Sequence, residues 1–236
     1  MQALIFDCDG VLVDTERDGH RVAFNQAFAA KGLDREWSVK RYGDLLTTAG
    51  GKERMRRDFD ETGWPVPEGE RDRLIADLHR LKTDLFMELI QSGRLPLRPG
   101  VARLVDEAID AGVELAVCST SNERAVQAVV DVMLGAERSA HIAVYAGDIV
   151  PAKKPDPAIY QLAAERLGWD CCRCVVIEDS NNGLRAALGA GMRCIVTKSS
   201  YTGDEDFTGA DLVVPELGDG PAVRVRLNDL RALCNV

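Results

Sequence analysis

Ala3-Leu4-Ile5-Phe6-Asp7-Cys8-Asp9-Gly10 is the stretch on which the reading of this chain turns. Four apolar residues run at strand length and stop at two aspartates and a glycine. A short apolar run bounded by a turn signal suits a strand buried on both faces. In an extended segment residues i and i+2 share a face, so Asp7 and Asp9 would present two carboxylates together. Such a pair repels unless a cation or a proton intervenes. Gly10 lets the backbone turn sharply without a Cβ clash.

Working outward, the same grammar recurs downstream. Residues 113–118 read as a further buried strand, and 142–145, 174–177, 194–197 and 212–214 as strands. Helices are expected between them at 100–111, 122–133, from Asp156 to a stop at Gly168, and near 184–190. Strands alternating with helices argue an α/β fold, a Rossmann-like parallel sheet with helices on both faces. Between residues 15 and 90 no strand pattern stands out. Val22, Phe24, Ala27, Phe28 and Ala30 mark one helix face ending at Gly32. Further helical stretches are expected at 39–59 and 68–90, broken by Gly63-Trp64-Pro65-Val66-Pro67. The expected organisation is a core of residues 1–14 and 92–236 with an all-helical insert, 15–91, after the first strand.

The chain has 236 residues, long enough to bury a core without disulfides. Lys and Arg number 29 against 38 Asp and Glu, a formal net charge of −9. That sign argues against nucleic acid or an anionic membrane as partner, yet leaves room for a small anionic substrate in a local basic pocket. No apolar run approaches the roughly 18–20 residues that span a bilayer, and a signal peptide's basic start and long apolar stretch are missing. The expectation is a cytoplasmic monomer, or a stromal one if a transit peptide has been removed. Cysteines stand at 8, 118, 171, 172, 174, 194 and 234. Several fall in strand-like runs and read as buried reduced thiols; the C-x-x-C at Cys171–Cys174 has no second pair or nearby His to complete a zinc site.

In open parallel sheets ligands bind beyond the carboxyl ends of the strands. The residues just past four of the strands are Asp7-Cys8-Asp9-Gly10, Ser119-Thr120-Ser121-Asn122, Lys153-Lys154-Pro155 and Glu178-Asp179-Ser180. Acids, hydroxyls and a lysine would converge there, as an anionic, metal-assisted reaction needs. Mg²⁺, a hard ion with oxygen ligands, suits such a cluster.

Phe6–Glu16, with its D-x-D-G, resembles the first motif of the haloacid dehalogenase superfamily; Ser119, Lys154 before Pro155-Asp156-Pro157, and Glu178-Asp179-Ser180-Asn181-Asn182-Gly183-Leu184 resemble the second, third and fourth. The resemblance covers essentially the whole chain, and the insert looks like the family's small helical cap. It implies that Asp7 is the nucleophile forming an aspartyl-phosphate and that Asp9 is the acid/base. It further implies that Mg²⁺ is held by Asp7, the Asp9 backbone carbonyl and Asp179, with Glu178 supporting. Ser119 and Lys154, helped by Thr120 and Asn122, would bind the transferring phosphoryl group. Ser121 reads equally as a helix cap, and Lys153 as a solvated neighbour. In the cap, Glu16, His20, Lys52, Arg54 and Lys82 are the expected substrate-binding residues. Among these, Gly50-Gly51-Lys52 is the sharper signal, because paired glycines let amides approach a phosphate.

Within the superfamily, Leu45–Arg54 and Ser199–Phe207 resemble the CbbY-type branch. That branch implies removal of phosphate from xylulose 1,5-bisphosphate, an inhibitor of Rubisco. The Asp14–His20 spacing carries one residue more than the commoner pattern of the related mutases. A β-phosphoglucomutase-like sugar phosphomutase shares the same core residues and is the first rival. A non-catalytic sugar-phosphate binding module is the second, opposed by the intact Asp7, Asp9, Ser119, Lys154 and Asp179. A dehalogenase would leave the acidic cluster without a purpose.

Overall fold

The computed structural model describes residues 1–48 and 50–234. Ala49, inside the Leu45–Arg54 stretch quoted above, and the last two residues lie outside the described set. The chain divides into two compact units, residues 1–14 with 96–236, and residues 15–95. The second crossing falls after Leu95, which is buried and reaches toward Gly19 within the helical unit.

β1 is Ala3–Phe6, with all four side chains buried. The helical unit then opens on a π-helical turn, Thr15–His20. This turn spans the Asp14–His20 spacing noted above. α1 follows at Arg21–Ala30, burying Ala23, Phe24, Ala27 and Phe28. The helix expected over 39–59 is two helices, α2 at Val39–Leu46 and α3 at Gly51–Thr62. Gly50, with φ of +91°, makes the break. α4 is Arg71–Gln91, preceded by a 3₁₀ turn at Glu68–Glu70.

Aromatic side chains fill this unit. Phe24 and Phe28 lie 4.8 and 5.0 Å from Trp37, and Phe59 meets Phe28 edge-on at 6.3 Å. Full burial of each such side chain contributes about 1.5–3 kcal/mol. The buried Asp58 is compensated by Arg41 at 2.6 Å and Arg35 at 3.4 Å.

The larger unit continues with α5 (Val101–Asp110), β2 (Glu114–Ser119), α6 (Glu123–Val129), α7 (Ala136–Ser139) and β3 (Ile142–Ala146). A π turn at Val130–Leu134 prolongs α6. Next come α8 (Ala158–Leu167), β4 (Cys174–Glu178), α9 (Asn181–Gly189), β5 (Arg193–Thr197), β6 (Leu212–Val214) and α10 (Leu227–Leu233). Among the described residues the sheet has six strands in the order β3-β2-β1-β4-β5-β6, every pair parallel. Ala3, Ile5, Ala116, Cys118, Val176, Cys194 and Val196 pack with α8 and α9 in one buried layer. Leu4, Phe6, Leu115, Val117 and Ile177 point to the other face, where α5 lies against β2. Both faces of the central strands are thus covered, as their unbroken apolar runs require, while the edge strand β6 is exposed at Leu212 and Val213.

The order places β1 between β2 and β4, so the chain runs to β3 on one side and then crosses β1 to continue on the other. That reversal is a topological switch point, where open α/β sheets bind ligands. Phe6 is level with Val117 of β2 and Ile177 of β4. Asp7, Cys118 and Glu178 therefore form the next row.

Candidate active site at the switch point

Asp7 leaves β1 with its N–H bonded to Ile177 O at 2.9 Å, which fixes the carboxylate at the strand end. Gly10, at φ of +77°, turns the chain back. A Cβ there would overlap the Asp179 carboxylate, so glycine serves both the turn and the close approach. Close approach alone requires glycine at Gly183 in the first turn of α9, where a Cβ would overlap the Glu178 carboxylate. Ser180 caps α9 through Gly183 N–H at 3.2 Å.

Carboxylate oxygens of Asp7, Glu178 and Asp179 lie within 4.8 Å of one another, all three residues buried. Lys154 joins two of them, donating to Asp7 Oδ1 at 2.6 Å, Glu178 Oε1 at 2.7 Å and Cys118 O at 2.9 Å. Tyr160 of α8 donates to the same Glu178 oxygen at 2.5 Å and places its ring under the ammonium, 4.9 Å from centroid to Nζ. Glu178 Oε2 accepts the Asp179 N–H at 3.2 Å. Glu178 is thus bound on both oxygens and orients its neighbours.

One lysine faces three clustered carboxylates, and the electrostatics shows the shortfall. Burial, then Glu178 and Asp9, push the Asp7 carboxyl up to about 7 against the opposing pull of Lys154. Asp179 is pushed well above the carboxylate range by burial and by Glu178 and Asp7. The ammonium of Lys154 is held charged by Asp7 and Glu178, which outweigh its burial. An all-oxygen, over-acidic, buried set fits a hard divalent cation such as Mg²⁺. Asp7 and Asp179 would hold it; the Asp9 side chain is not in the group.

A pH dependence follows for the metal-free protein. The Asp7 carboxyl goes from an ordinary 3.8 to about 7 on folding, so the folded state binds the extra proton. Stability from this group is full below about 4 and is lost as pH rises through about 7. In thermal melts with chelator, wild type should lose stability relative to Asp7→Asn over that window, because the amide does not titrate. Parallel pH curves for the two proteins would contradict this.

Asp9 takes the Ser121 hydroxyl. Ser121 N–H in turn donates to Ser119 Oγ at 3.1 Å, and Ser119 is buried at the end of β2. The helix-cap reading of Ser121 passes to Asn122: the Asn122 side chain caps α6, accepting from Ala125 N–H at 3.3 Å, while the Ser121 hydroxyl meets Asp9. Thr120 is half-buried, and its carbonyl takes Lys153 at 3.3 Å. Exposed Lys153 also pairs with Asp148 at 3.1 Å. Tyr160 was not singled out by sequence, since a tyrosine inside a helix reads simply as core.

The helical unit brings its expected residues into two groups. Lys82 Nζ lies 3.0 Å from His20 Nδ1 and over the rings of Phe24 and Phe86, at 5.0 and 5.1 Å. His20 is held well below the usual imidazole range by burial, Lys82 and Arg54, so near neutral pH its ring is uncharged and Nδ1 accepts from the ammonium. The second group is Glu16, Tyr42 and Arg54. Tyr42 donates to Glu16 at 2.5 Å, and Arg54 reaches Tyr42 Oη at 3.1 Å and Thr48 O at 3.0 Å. Lys52 is exposed in the first turn of α3. Cys8, Cys118, Cys174 and Cys194 are buried, Cys171 and Cys234 half-buried, and Cys172 exposed; all seven are free thiols, and those in the strand runs are buried. Among the described residues no helix is long and apolar enough to cross a membrane.

Comparison with known proteins agrees with this geometry. Residues 1–191 match the family described as haloacid dehalogenase-like hydrolase. A CBBY-like protein of Arabidopsis thaliana is 59% identical over 229 residues, covering 95% of this chain and 72% of that protein. Protein CbbY of Cereibacter sphaeroides is 45% identical over 221 residues, covering 93% and 94%. The crystal structure of a CbbY mutant from Rhodobacter sphaeroides in complex with xylulose-(1,5)bisphosphate superposes with a TM-score of 0.73 at 43% identity, covering 93% of this chain and 96% of that one. With the family matched over most of its length and the aspartates, lysine and acidic pair gathered at the switch point, the chain belongs to the haloacid dehalogenase-like hydrolases.

Proposed function

We propose that the protein is a Mg²⁺-dependent sugar-phosphate phosphatase that works through an aspartyl-phosphate at Asp7, with xylulose 1,5-bisphosphate as its substrate. It is a phosphoric monoester hydrolase; the proposal adds the ion, the covalent step and the sugar. The observation that carries it is the buried cluster of Asp7, Glu178 and Asp179 bridged by Lys154. The substrate rests on similarity to the CbbY whose complex with that bisphosphate is known.

Asp7 Oδ attacks phosphorus in line, and the bond to the sugar oxygen breaks as Asp9 delivers a proton to it. Asp9, then a carboxylate, takes a proton from water as that water attacks the phosphorus of the acyl phosphate. The Ser121 hydroxyl fixes the Asp9 carboxylate on the Ser119 side. Lys154 and the Ser119 hydroxyl stabilise charge on the equatorial phosphoryl oxygens. When bound, Mg²⁺ supplies further charge stabilisation and offsets repulsion between the phosphoryl group and Asp7. Thr120 contributes at the same end of β2. The choice of sugar phosphate is assigned to Glu16, His20, Lys52, Arg54 and Lys82, supported by the same family resemblance.

The test is phosphate release across sugar mono- and bisphosphates, with Mg²⁺ and after exhaustive chelation. Release should require the ion and be most efficient with xylulose 1,5-bisphosphate. Full activity in chelator would remove the metal from the account. Conversion of β-glucose 1-phosphate to the 6-phosphate without net phosphate release would make the protein a mutase. Inactivity across the panel would make it a binding module.

A further inference from the structure

Arg98 belongs to none of the motifs above, yet its side chain donates to the backbone carbonyls of Gly10, Thr197, Lys198 and Pro215. It lies in the larger unit between Leu97, which bridges Val13, and α5; its own N–H donates to Leu12 O at 2.8 Å. The guanidinium then collects acceptors from three chain segments. One terminal nitrogen donates to Gly10 O, in the turn after Asp7, and to Thr197 O and Oγ1 at 3.1 Å each. The other donates to Lys198 O at 2.6 Å and Pro215 O at 2.8 Å. A planar fork of donors can serve several carbonyls at once, where an ammonium is a single point of charge.

These carbonyls belong to the segments that surround Asp179. Gly10 is the residue whose missing Cβ makes room for the Asp179 carboxylate. Thr197 and Lys198 lead into Ser199, which hydrogen-bonds that carboxylate. Ser200, next in line, donates to Asp14 at 2.5 Å. Thr197 Oγ1 also donates to Glu178 O at 3.5 Å. Asp179 is thus bounded by the Gly10 turn and the 197–200 turn, and one guanidinium ties those turns together.

We propose that Arg98 is a positioning residue for the metal-binding carboxylates: it clamps the Gly10 turn to the Thr197–Lys198 turn and so sets Asp179 against Asp7. The inference rests on the divalent-cation reading of the Asp7–Asp179 cluster. It differs from a packing role in what it moves. Loss of packing alone lowers the melting temperature of metal-free and metal-bound protein together. A lost clamp loosens the ligand pair and weakens the ion's binding, as happens when groups that orient metal ligands are removed.

The experiment is calorimetric titration of Mg²⁺ into chelator-treated, dialysed wild type, Arg98→Met and Arg98→Lys, with metal-free melting curves for all three. Wild type should bind one ion. Arg98→Met should bind about 10–100-fold more weakly, and Arg98→Lys should fall between, since it keeps charge and reach but loses the fork. If Arg98→Met does not fold, Arg98→Lys carries the test alone. Wild-type affinity in the folded variants, with or without a lower melting temperature, overturns the inference and leaves the metal site standing. No Mg²⁺ binding by wild type overturns the reading of the site and this inference with it.

Discussion

Asp7→Asn should reduce turnover by on the order of 10⁴-fold or more while the protein still folds. The amide is nearly isosteric with the carboxylate, and the substitution leaves the backbone bond to Ile177 O in place. What the variant loses is the anionic oxygen that forms the bond to phosphorus. It also relieves crowding, since burial, Glu178 and Asp9 already push the Asp7 carboxyl up to about 7. The variant is therefore expected to be inactive without being less stable at neutral pH. Steady-state phosphate release, with a melting curve beside it, checks both halves. Near-normal turnover would move the nucleophile elsewhere.

The residues proposed to carry this chemistry were legible because strand ends in a parallel sheet have a local signature. The strands that carry site residues, β1, β2 and β4, are apolar runs that end at a polar group, and all six observed strands fall on apolar runs. Helix ends were less legible. The break at Gly50 sits in a segment with helical pattern on both sides, and a glycine there could equally have been tolerated within one helix. α10 is seven residues long, too short for a periodic signal. That Asn122 rather than Ser121 caps α6 turns on one residue of register, because serine and asparagine cap helices equally well. Tyr160 and Arg98 left no local trace. Their roles come from partners far along the chain, Glu178 for the one and Gly10, Thr197 and Pro215 for the other.

Asp9→Asn should behave differently from Asp7→Asn. It removes the proposed acid/base, a contribution of about 10²–10⁴-fold, but leaves the proposed nucleophile Asp7 and the lysine bridge in place. The loss should be largest on a sugar phosphate, whose alkoxide leaves poorly without a proton. It should shrink for formation of the phospho-enzyme from an aryl phosphate, whose phenolate needs no proton. Stopped-flow measurement of the two steps on both substrates separates these cases. Equal losses on both would mean that Asp9 acts by positioning, through its bond with Ser121, rather than by proton transfer.

The covalent step at Asp7 is the centre of the account, and trapping it is the most direct measurement. Wild type mixed with xylulose 1,5-bisphosphate and Mg²⁺, acid-quenched within a turnover and treated with borohydride, should carry homoserine in place of Asp7, because hydride reduces an acyl phosphate to the alcohol. Peptide mass analysis reads the change, and Asp7→Asn supplies the control without it. Homoserine at Asp7 alone is the predicted result. Phosphate release at the normal rate with Asp7 never converted would contradict the account.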